Sequence, residues 1–372
     1  MTRLLLLSLF CMLNSMLLAQ DWNLHWIHAP HRCSTEQLWF RQTYQLSAKP
    51  QKAVVEMASC GRLILYINGR NVTTRIFEPA RQPQGDTIFV VRYDVEPFLQ
   101  RGANSIAVWF SPLPGPDGHP TDSRKQLSLE LSGTIAGKKF AHFTDESWQC
   151  LSAFAHTLPN GDEIIDGRYH INGNATPLAF RKNVERLRGY SPSCVIIDNN
   201  EGTPTRIGMV HECMIWENTH RPVVLPDTVA KPDSLLNDTA KQASPGFQPV
   251  ALPRRLAVGC GTQFNGWARL TLQNMKAGDQ LTANGLIYIC NGKSDEQACR
   301  RFTSGSSGYI EIVGPPTFSP DNLVSVEALE LLPPDKRYHR PYLEDRNLME
   351  GEESVVFCDD TSDEDETNND IQ

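Results

Sequence analysis

The residues with the clearest binding chemistry lie in two polar loops of the N-terminal half of the chain. Glu78, Arg81 and Asp86 fall in the first loop, and Asp117 and His119 fall in the second, among four prolines. Carboxylates accept hydrogen bonds from hydroxyl-rich ligands, and guanidinium and imidazole groups donate them. Loops at one end of a β-sandwich converge and often carry the binding residues. We therefore predict that these five residues share an edge and form a sugar site; two unrelated surface loops are the alternative.

Motifs for metal or covalent catalysis are incomplete in this sequence. His211 and Glu212 begin a zinc-protease pattern, but Ile215 stands where the second histidine is required. The Gly-Cys-Gly run at 259–261 begins a dinucleotide fingerprint, but Phe264 replaces its last glycine. The sequence therefore predicts neither a catalytic metal nor a nucleotide cofactor.

Paired acids are the remaining route to catalysis. A glycosidase holds two carboxyl groups ~5 to ~9.5 Å apart across the scissile bond. Asp162 with Glu163, and Glu217 near Asp227, are such pairs, but a chain with 43 acids supplies them in any case. A structural or solvated role is favoured for each, and no catalytic residue is assigned.

The cysteines permit one local disulfide. Cys11 lies in the N-terminal apolar run, which leaves nine of ten cysteines in the rest of the chain, and none is spaced as CxxC. Cys290 and Cys299 bracket a polar loop that a disulfide could close. Two free cysteines on facing strands are the alternative, because connectivity cannot be deduced from sequence.

The net charge of −8 is concentrated at the C-terminus. Residues 343–372 hold 12 acids and one base, which leaves 34 bases and 31 acids elsewhere. A near-neutral body has no basic face for nucleic acid. The tail is predicted to be disordered and solvated; a scaffold protein whose tail binds a basic partner is the alternative interpretation.

The N-terminus has the pattern of a secretory signal peptide. A short positive start at Arg3 precedes an apolar run that is too short and too interrupted to span a bilayer. We expect a signal peptide over residues 1–20 and a secreted or periplasmic protein. No other segment reaches ~18 apolar residues, so no membrane span is predicted.

Alternation of apolar and polar residues, with turn signals every ~8 to ~12 residues, predicts an all-β sandwich. Asn68-Gly69 marks a hairpin turn. The main strands of the first unit are predicted at Leu38–Leu46, Ala53–Ser59, Arg62–Ile67, Thr87–Asp94, Asn104–Phe110, Gln126–Gly133 and Lys138–Thr144.

The predicted fold is two antiparallel, jelly-roll-like β-sandwich domains followed by the acidic tail. The expected boundaries are 1–20 for the signal peptide, 21–165 for the first sandwich, 166–205 for an irregular connector, 206–335 for the second sandwich and 336–372 for the tail.

The tryptophans divide into two groups. Trp39, Trp109, Trp148 and Trp267 sit inside apolar strand patterns, which favours core packing. Trp22 and Trp26 lie outside those patterns, which leaves them more open and as available for stacking on a sugar as for packing.

The amino-acid sequence of the first unit resembles that of a known family. LWFRQTYQLS, LYINGRNV, EPA and YDVEPFLQRGANSIAVWF, between Leu38 and Phe110, are similar to the N-terminal β-sandwich of bacterial α-L-rhamnosidases. Gly261, Gln263, Asn265, Gly266 and Trp267 resemble a segment of the next domain of these enzymes. The resemblance runs from Leu38 to Leu332, and the helical catalytic barrel of the family has no counterpart in the residues that follow.

This resemblance implies a secreted, non-catalytic carbohydrate-binding or accessory protein of bacterial polysaccharide degradation. Its partners would be plant or host glycans and a partner glycosidase. An α-L-rhamnosidase, another glycoside hydrolase or a subunit of one is the alternative. Some relatives hold calcium in this kind of sandwich; its ligands are not mapped onto this sequence, and no cofactor is predicted.

Overall fold

The protein is built almost entirely of β-strands. The computed structural model describes residues 25–30, 35–73, 77, 87–113, 126–169, 182–187, 193–196, 206–212, 214–215 and 253–332. These residues form 22 strands and two short 3-10 turns, and no α-helix occurs among them. The all-β prediction is therefore confirmed. The predicted signal peptide and acidic tail lie outside the described residues.

The strands of the N-terminal half are mostly long. They are β1 (Ile27–His28), β2 (Glu36–Leu46), β3 (Gln51–Ser59), β4 (Arg62–Ile67), β5 (Arg70–Asn71), β6 (Thr87–Asp94), β7 (Gly102–Ser111), β8 (Gln126–Ile135), β9 (Lys138–Phe143) and β10 (Gln149–Thr157). A 3-10 turn at Glu96–Phe98 follows β6.

The strands of the C-terminal half begin with several short ones. They are β11 (Glu163–Asp166), β12 (Lys182–Asn183), β13 (Glu185–Arg186), β14 (Ser193–Ile196), β15 (Arg206–Glu212), β16 (Met214–Ile215), β17 (Arg254–Leu272), β18 (Gln280–Ala283), β19 (Leu286–Ile289), β20 (Glu296–Cys299), β21 (Gly305–Gly314) and β22 (Leu323–Leu332). The second 3-10 turn spans Pro320–Asn322.

The N-terminal half is a sandwich of two sheets. One sheet has the order β13-β1-β8-β3-β6-β14, with β9 added on β8, and the facing strands have the order β10-β2-β7-β4-β5. Leu38 and Phe40 of β2 point into the core between them, where Phe40 meets Phe110 edge-on with ring centroids 6.1 Å apart. The strand period of two residues sends Trp39 to the opposite face.

That opposite face is also buried, because the C-terminal strands pack on it. Trp39 and Trp109 stack with ring centroids 5.2 Å apart, and Phe302 meets Trp109 edge-on at 5.4 Å. Both tryptophans have no exposed surface, Trp148 has none, and Trp267 retains 4%. The predicted core positions of these four tryptophans are confirmed.

The burial of Trp26 corrects the expectation that the N-terminal tryptophans are exposed. Its side chain is completely buried, because β1 inserts between β13 and β8 and draws the lead-in segment into the sheet. The Trp26 carbonyl accepts a 2.9 Å hydrogen bond from the Leu187 amide. Trp22 lies outside the described residues.

One sheet runs through both halves of the molecule. β11 pairs in parallel with β19, in the register Glu163 to Leu286 and Asp166 to Ile289. This pairing, hereafter the seam, joins the strands into a 15-stranded sheet. Twelve of them follow the order β15-β22-β17-β21-β18-β19-β11-β10-β2-β7-β4-β5, and the other three pair beside this path, β12 on β10 and both β16 and β20 on β17. Three short strands, β12 to β14, lie inside the expected connector, and the division into two domains stays a prediction.

A buried carboxylate fixes the seam. Glu163 has no exposed surface, and its carboxylate accepts hydrogen bonds from the amides of Phe302 at 2.8 Å and Thr303 at 2.7 Å, from the Arg301 amide at 3.1 Å and from the Thr303 hydroxyl at 2.7 Å. These charge-assisted bonds offset the cost of burying the charge. The loop after β20 is thereby tied to the first residue of β11.

Two buried guanidinium groups complete this network. Arg300 donates to the Asn284 carbonyl at 2.9 Å and to the Gly161 carbonyl at 2.5 Å, one on each side of the seam. Arg62 donates to the Phe302 carbonyl. Burial lowers the pKa of Arg62 to about 10, and the charge of Glu163 offsets part of that shift.

Gly266 is required by close packing of backbones. A Cβ atom at this position would lie 1.8 Å from the Leu329 carbonyl oxygen on the neighbouring strand. Gly308 lies on β21, which pairs with the edge of β17 opposite to β22. A Cβ atom on Gly308 would meet no other atom within 4 Å. The glycine that precedes Trp267 in the sequence therefore permits the approach of β17 to β22.

Within the described part of the chain, no helix has the length and apolar character that a bilayer crossing requires.

Gly266→Ala should destabilise the protein by roughly 2 kcal/mol or more, because the added methyl forces the β17 and β22 backbones apart. Gly308→Ala is the matched control and should be as stable as the wild type or more stable by up to about 1 kcal/mol, since alanine is favoured over glycine in a strand. Urea unfolding followed by tryptophan fluorescence measures both. Equal stability of the two variants would contradict the packing described here.

Glu163→Gln should lower the free energy of unfolding by about 3 kcal/mol, because the loop amides lose their anionic acceptor and the buried guanidinium groups lose its charge. Glu146→Gln changes an exposed acid and is the control, expected within about 0.5 kcal/mol of the wild type. A Glu163→Gln protein as stable as the control would show that the carboxylate does not hold the seam.

Candidate functional site

The sugar site predicted from the sequence falls outside the described residues. This applies to all five of its members, Glu78, Arg81, Asp86, Asp117 and His119. Their convergence at one edge of the sandwich stays a prediction.

One of the two acid pairs considered in the sequence, Asp162 with Glu163, lies among the described residues. Glu163 is surrounded by the donors of the seam, and Asp162 accepts a 2.8 Å hydrogen bond from the Asn160 side chain at the surface. A carboxylate whose oxygens are occupied by backbone amides is not available to a substrate. The structural role favoured for Glu163 agrees with this geometry, while Glu217 and Asp227 lie outside the described residues.

Two exposed aromatic rings lie next to each other on the surface. Phe154 is 37% exposed and Tyr169 is 54% exposed, and their ring centroids are 5.5 Å apart with an interplanar angle of 36°. Large apolar side chains are normally buried, so adjacent exposed rings are informative. These two residues are hereafter the ring pair.

A β-bulge places Phe154 outside. The pairing of β10 with β2 shifts register between Ser152 and His156, and Phe154 adopts a positive φ of 52°. The Phe154 amide donates to the Ser152 hydroxyl at 3.1 Å. Its neighbours Ala153 and Ala155 face the core. A non-glycine residue in this conformation costs about 1–3 kcal/mol and such strain is concentrated at functional sites.

A tight turn after β11 places Tyr169. The Tyr169 amide donates to the Asp166 carbonyl at 3.2 Å, and the Arg168 amide donates to the Asp166 carboxylate at 3.1 Å. Gly167 allows the turn to lie against β19, because a Cβ there would be 2.3 Å from the Tyr288 hydroxyl. The Tyr169 ring therefore lies on a short turn that is held by hydrogen bonds to Asp166 and by the close contact of Gly167 with β19.

Arg168 forms a fork beside the ring pair. Its Nε and Nη2 atoms donate to the two carboxylate oxygens of Asp166 at 2.9 and 2.7 Å, and its guanidinium carbon lies 5.1 Å from the Tyr169 ring centre. Hydrogen bonding to Asp166 raises the pKa of Arg168. The bidentate geometry orients the guanidinium and compensates its charge.

This arrangement suits a ligand with an apolar face and a hydroxyl-bearing rim. Aromatic faces provide contact area at low entropic cost, and a fixed arginine–carboxylate pair provides directed donors and acceptors. A pyranose ring has both features. One local feature of the sequence indicates this site: Phe154 stands between two alanines, so the alternation of β10 sends small residues to one face and the ring to the other.

The disulfide considered for Cys290 and Cys299 is not present in the structure. Both are buried, no disulfide joins them, and they belong to different core clusters, Cys290 with the residues beneath the seam and Cys299 with Phe77 and Trp267. The alternative is right that the two cysteines are not bridged to each other, but β20 pairs with β17, so they do not lie on facing strands. Burial and the nearby charge of Glu296 raise the pKa of Cys290 to about 12, which makes this thiol unreactive.

Glu296 closes the loop that the disulfide was expected to close. Its carboxylate accepts hydrogen bonds from the Tyr288 hydroxyl at 2.9 Å, from the Gly292 amide at 3.3 Å and from the Asn291 amide. Burial raises the pKa of both Glu296 and Tyr288. Hydrogen bonds to the buried Glu296 carboxylate therefore hold the loop that we expected a disulfide to close.

No group of three or more His, Cys, Asp or Glu side chains within the described ranges is arranged to hold a metal ion. The calcium that some members of the resembling family hold stays without assigned ligands in this chain.

Comparison with known proteins supports the resemblance seen in the sequence. Residues 48–207 match the family described as the α-L-rhamnosidase N-terminal domain. The predicted likeness to the N-terminal β-sandwich domains of bacterial α-L-rhamnosidases is confirmed by this match. Among curated proteins, none matches the sequence significantly.

Solved α-L-rhamnosidases share the fold. The enzyme of Dictyoglumus thermophilum aligns with 84% of this chain at 19% identity and a TM-score of 0.60, and that of Aspergillus terreus with 83% at 17% identity and 0.60. The Streptomyces avermitilis enzyme, solved with L-rhamnose, aligns with 81% at 18% identity and 0.60. The alignments cover 36%, 36% and 29% of these enzymes, so the chain spans about a third of their length.

The strain at Phe154 can be measured with two substitutions. Phe154→Gly should be more stable than Phe154→Ala by about 1 kcal/mol, because glycine adopts a positive φ without a Cβ clash. At Phe143, whose φ is not positive, the same pair of substitutions should reverse the order, since glycine costs about 0.5–1 kcal/mol in a strand. Urea unfolding gives both differences. A less stable glycine variant at position 154 would contradict the strained bulge.

Proposed function

We propose that this protein is a secreted, non-catalytic carbohydrate-binding or accessory β-sandwich protein that works with enzymes of polysaccharide degradation. The observation that carries the proposal is the ring pair, Phe154 and Tyr169, exposed beside the fixed Arg168–Asp166 fork. Its relation to the α-L-rhamnosidase N-terminal domain supports the same conclusion.

The chemistry of the ring pair favours sugar recognition. Sugars carry apolar C–H faces that stack on aromatic rings, and equatorial hydroxyls that hydrogen-bond to charged side chains held in one geometry. The bulge at Phe154 keeps one ring exposed at a cost in stability, which is expected where the exposed ring has a function. A site already organised before binding loses little entropy when the ligand arrives.

The two buried carboxylates and the carboxylate beside the ring pair favour a binding role over hydrolysis. Glu163 and Glu296, the two carboxylates in the buried set, are both occupied by backbone amides. Asp166 is occupied by Arg168. Hydrolysis needs one carboxyl group free to protonate the leaving group and a second free to act on the other side of the sugar.

The ligand class follows from the relatives. The Streptomyces avermitilis enzyme is solved with L-rhamnose, so rhamnose-containing plant glycans and host glycans are the first ligands to test. A partner glycosidase would supply hydrolysis. The signal-peptide pattern of residues 1–20 supports a secreted or periplasmic location.

Phe154→Ala and Tyr169→Ala should each weaken binding to the best-bound glycan by about tenfold, which corresponds to about 1.4 kcal/mol of lost stacking. A glycan array selects the ligand, and isothermal titration calorimetry measures the affinity. Val324→Ala, which truncates another exposed apolar side chain, is the control and should bind as the wild type does.

The loop site predicted from the sequence provides the competing outcome. A double variant, Arg81→Ala with Asp86→Ala, should retain binding if the ring pair is the site. Loss of binding in that variant, with full binding in Phe154→Ala and Tyr169→Ala, would move the site to the loops. No response on the array to any glycan would contradict the proposed function itself.

A further inference from the structure

The ring pair lies at one end of a face that crosses the seam. In β10, β11, β19, β18 and β21 the residues that point inward belong to one core cluster, for example Ala155, Ile165 and Ile312. Because side chains alternate along a strand, their neighbours Phe154 and Tyr309 point to the opposite side of the sheet. This side is hereafter the outer face.

The pairing register makes the outer face continuous. A row of half-buried side chains crosses five adjacent strands, each residue paired with the next: His156, Ile164, Ile287, Thr282 and Val313. Adjacent strands are ~4.8 Å apart, so the row is about 19 Å long from β10 to β21. It passes over the seam without interruption, because β11 and β19 are hydrogen-bonded neighbours.

A third exposed aromatic ring stands at the far end of the face. Tyr309 of β21 is 50% exposed. Its carbonyl accepts a 2.8 Å hydrogen bond from the Asn284 side chain, and the same side chain accepts from the Glu311 amide at 3.0 Å. The backbone that carries Tyr309 is thereby fixed to the turn between β18 and β19.

The charges along the face are compensated in pairs. Arg168 binds Asp166 beside the ring pair, and Arg255 binds Glu311 at 2.5 Å beside Tyr309. Each aromatic end therefore has an adjacent arginine–carboxylate pair with no net charge. Such pairs can exchange hydrogen bonds with hydroxyl groups, while a polyanion would have to compete with the carboxylates already bound to the arginines.

We propose that the outer face binds a chain of neutral sugars across the seam, with one end on the ring pair and the other on Tyr309. The proposal rests on the proposed carbohydrate-binding function and extends it from a single sugar to a polysaccharide. Phe154 and Tyr309 lie four strands apart and about six residues apart along the strands, a diagonal of roughly 28 Å. A disaccharide is shorter than this span and binds at the ring pair.

The dependence of affinity on the length of the sugar chain distinguishes this proposal from binding at the ring pair alone. The probes are arabinogalactan as a neutral polysaccharide, a disaccharide prepared from it, and polygalacturonate as an anionic polysaccharide, each titrated by calorimetry. The wild type should bind arabinogalactan at least tenfold more tightly per site than the disaccharide, and more tightly than polygalacturonate.

Variants of Tyr309 test whether this residue causes the tighter binding of arabinogalactan relative to the disaccharide. Tyr309→Ala should reduce arabinogalactan affinity to about the disaccharide level and leave disaccharide binding unchanged, whereas Tyr309→Phe should retain the chain-length gain because it keeps the ring. Val324→Ala is the control for loss of an exposed side chain, and thermal unfolding of each variant confirms the fold.

The outcomes distinguish the two proposals. Disaccharide binding that depends on Phe154, without a gain for the polymer, overturns the extended surface and leaves the proposed function in place. A polymer gain that persists in Tyr309→Ala overturns the assignment of Tyr309, and tighter binding of polygalacturonate overturns the neutral class. Absence of binding to all three probes overturns the extended surface together with arabinogalactan-type ligands, and the glycan array then decides the proposed function.

Discussion

The carboxylate of Glu163 is the interaction on which the rest of the structure depends. It sits at the first residue of β11, and the loop that follows β20 wraps its amides around it. The parallel pairing of β11 with β19 offers only four residue pairs, which alone would be a weak connection between the two parts of the 15-stranded sheet. The buried charge makes the connection specific, because the amides of Arg301, Phe302 and Thr303 all donate to this one carboxylate.

The seam has a direct consequence for the outer surface. With β11 and β19 joined, the core beneath them is continuous, and Trp39, Trp109 and Phe302 pack from opposite sides of it. The face above is then continuous too. The turn that carries Tyr169 lies against β19 through Gly167, so the position of the ring pair is set by both units. Loss of the seam would separate Phe154 from the strands that carry Tyr309.

Local patterns were enough to predict much of the N-terminal half. Arg62–Ile67 and Thr87–Asp94 form strands with the predicted bounds, and the turn between β4 and β5 has Asn68 and Gly69 at positive φ, as its Asn-Gly sequence indicates. These features depend on neighbours in sequence. The family resemblance added the overall class of sandwich.

The features that decide the site depend on residues far apart in sequence. The acid at 163 is adjacent to a surface acid, and nothing local shows that amides 138 to 140 positions later enclose it. The disulfide predicted from the spacing of Cys290 and Cys299 fails because strand pairing sends the two thiols to different cores. Trp26 is buried because β1 finds partners at β8 and β13. The exposure of Phe154 follows the alternation of β10, but the bulge and the positive φ at this residue have no local signal in the sequence.

The most direct test of the account is a crystal structure of the protein with a bound oligosaccharide, chosen from its strongest glycan-array ligand. The account predicts a sugar ring stacked on Phe154 and Tyr169, with hydroxyls within hydrogen-bond distance of Arg168 or Asp166. A sugar bound instead between the loops of Arg81 and His119, with the ring pair left in solvent, would contradict it.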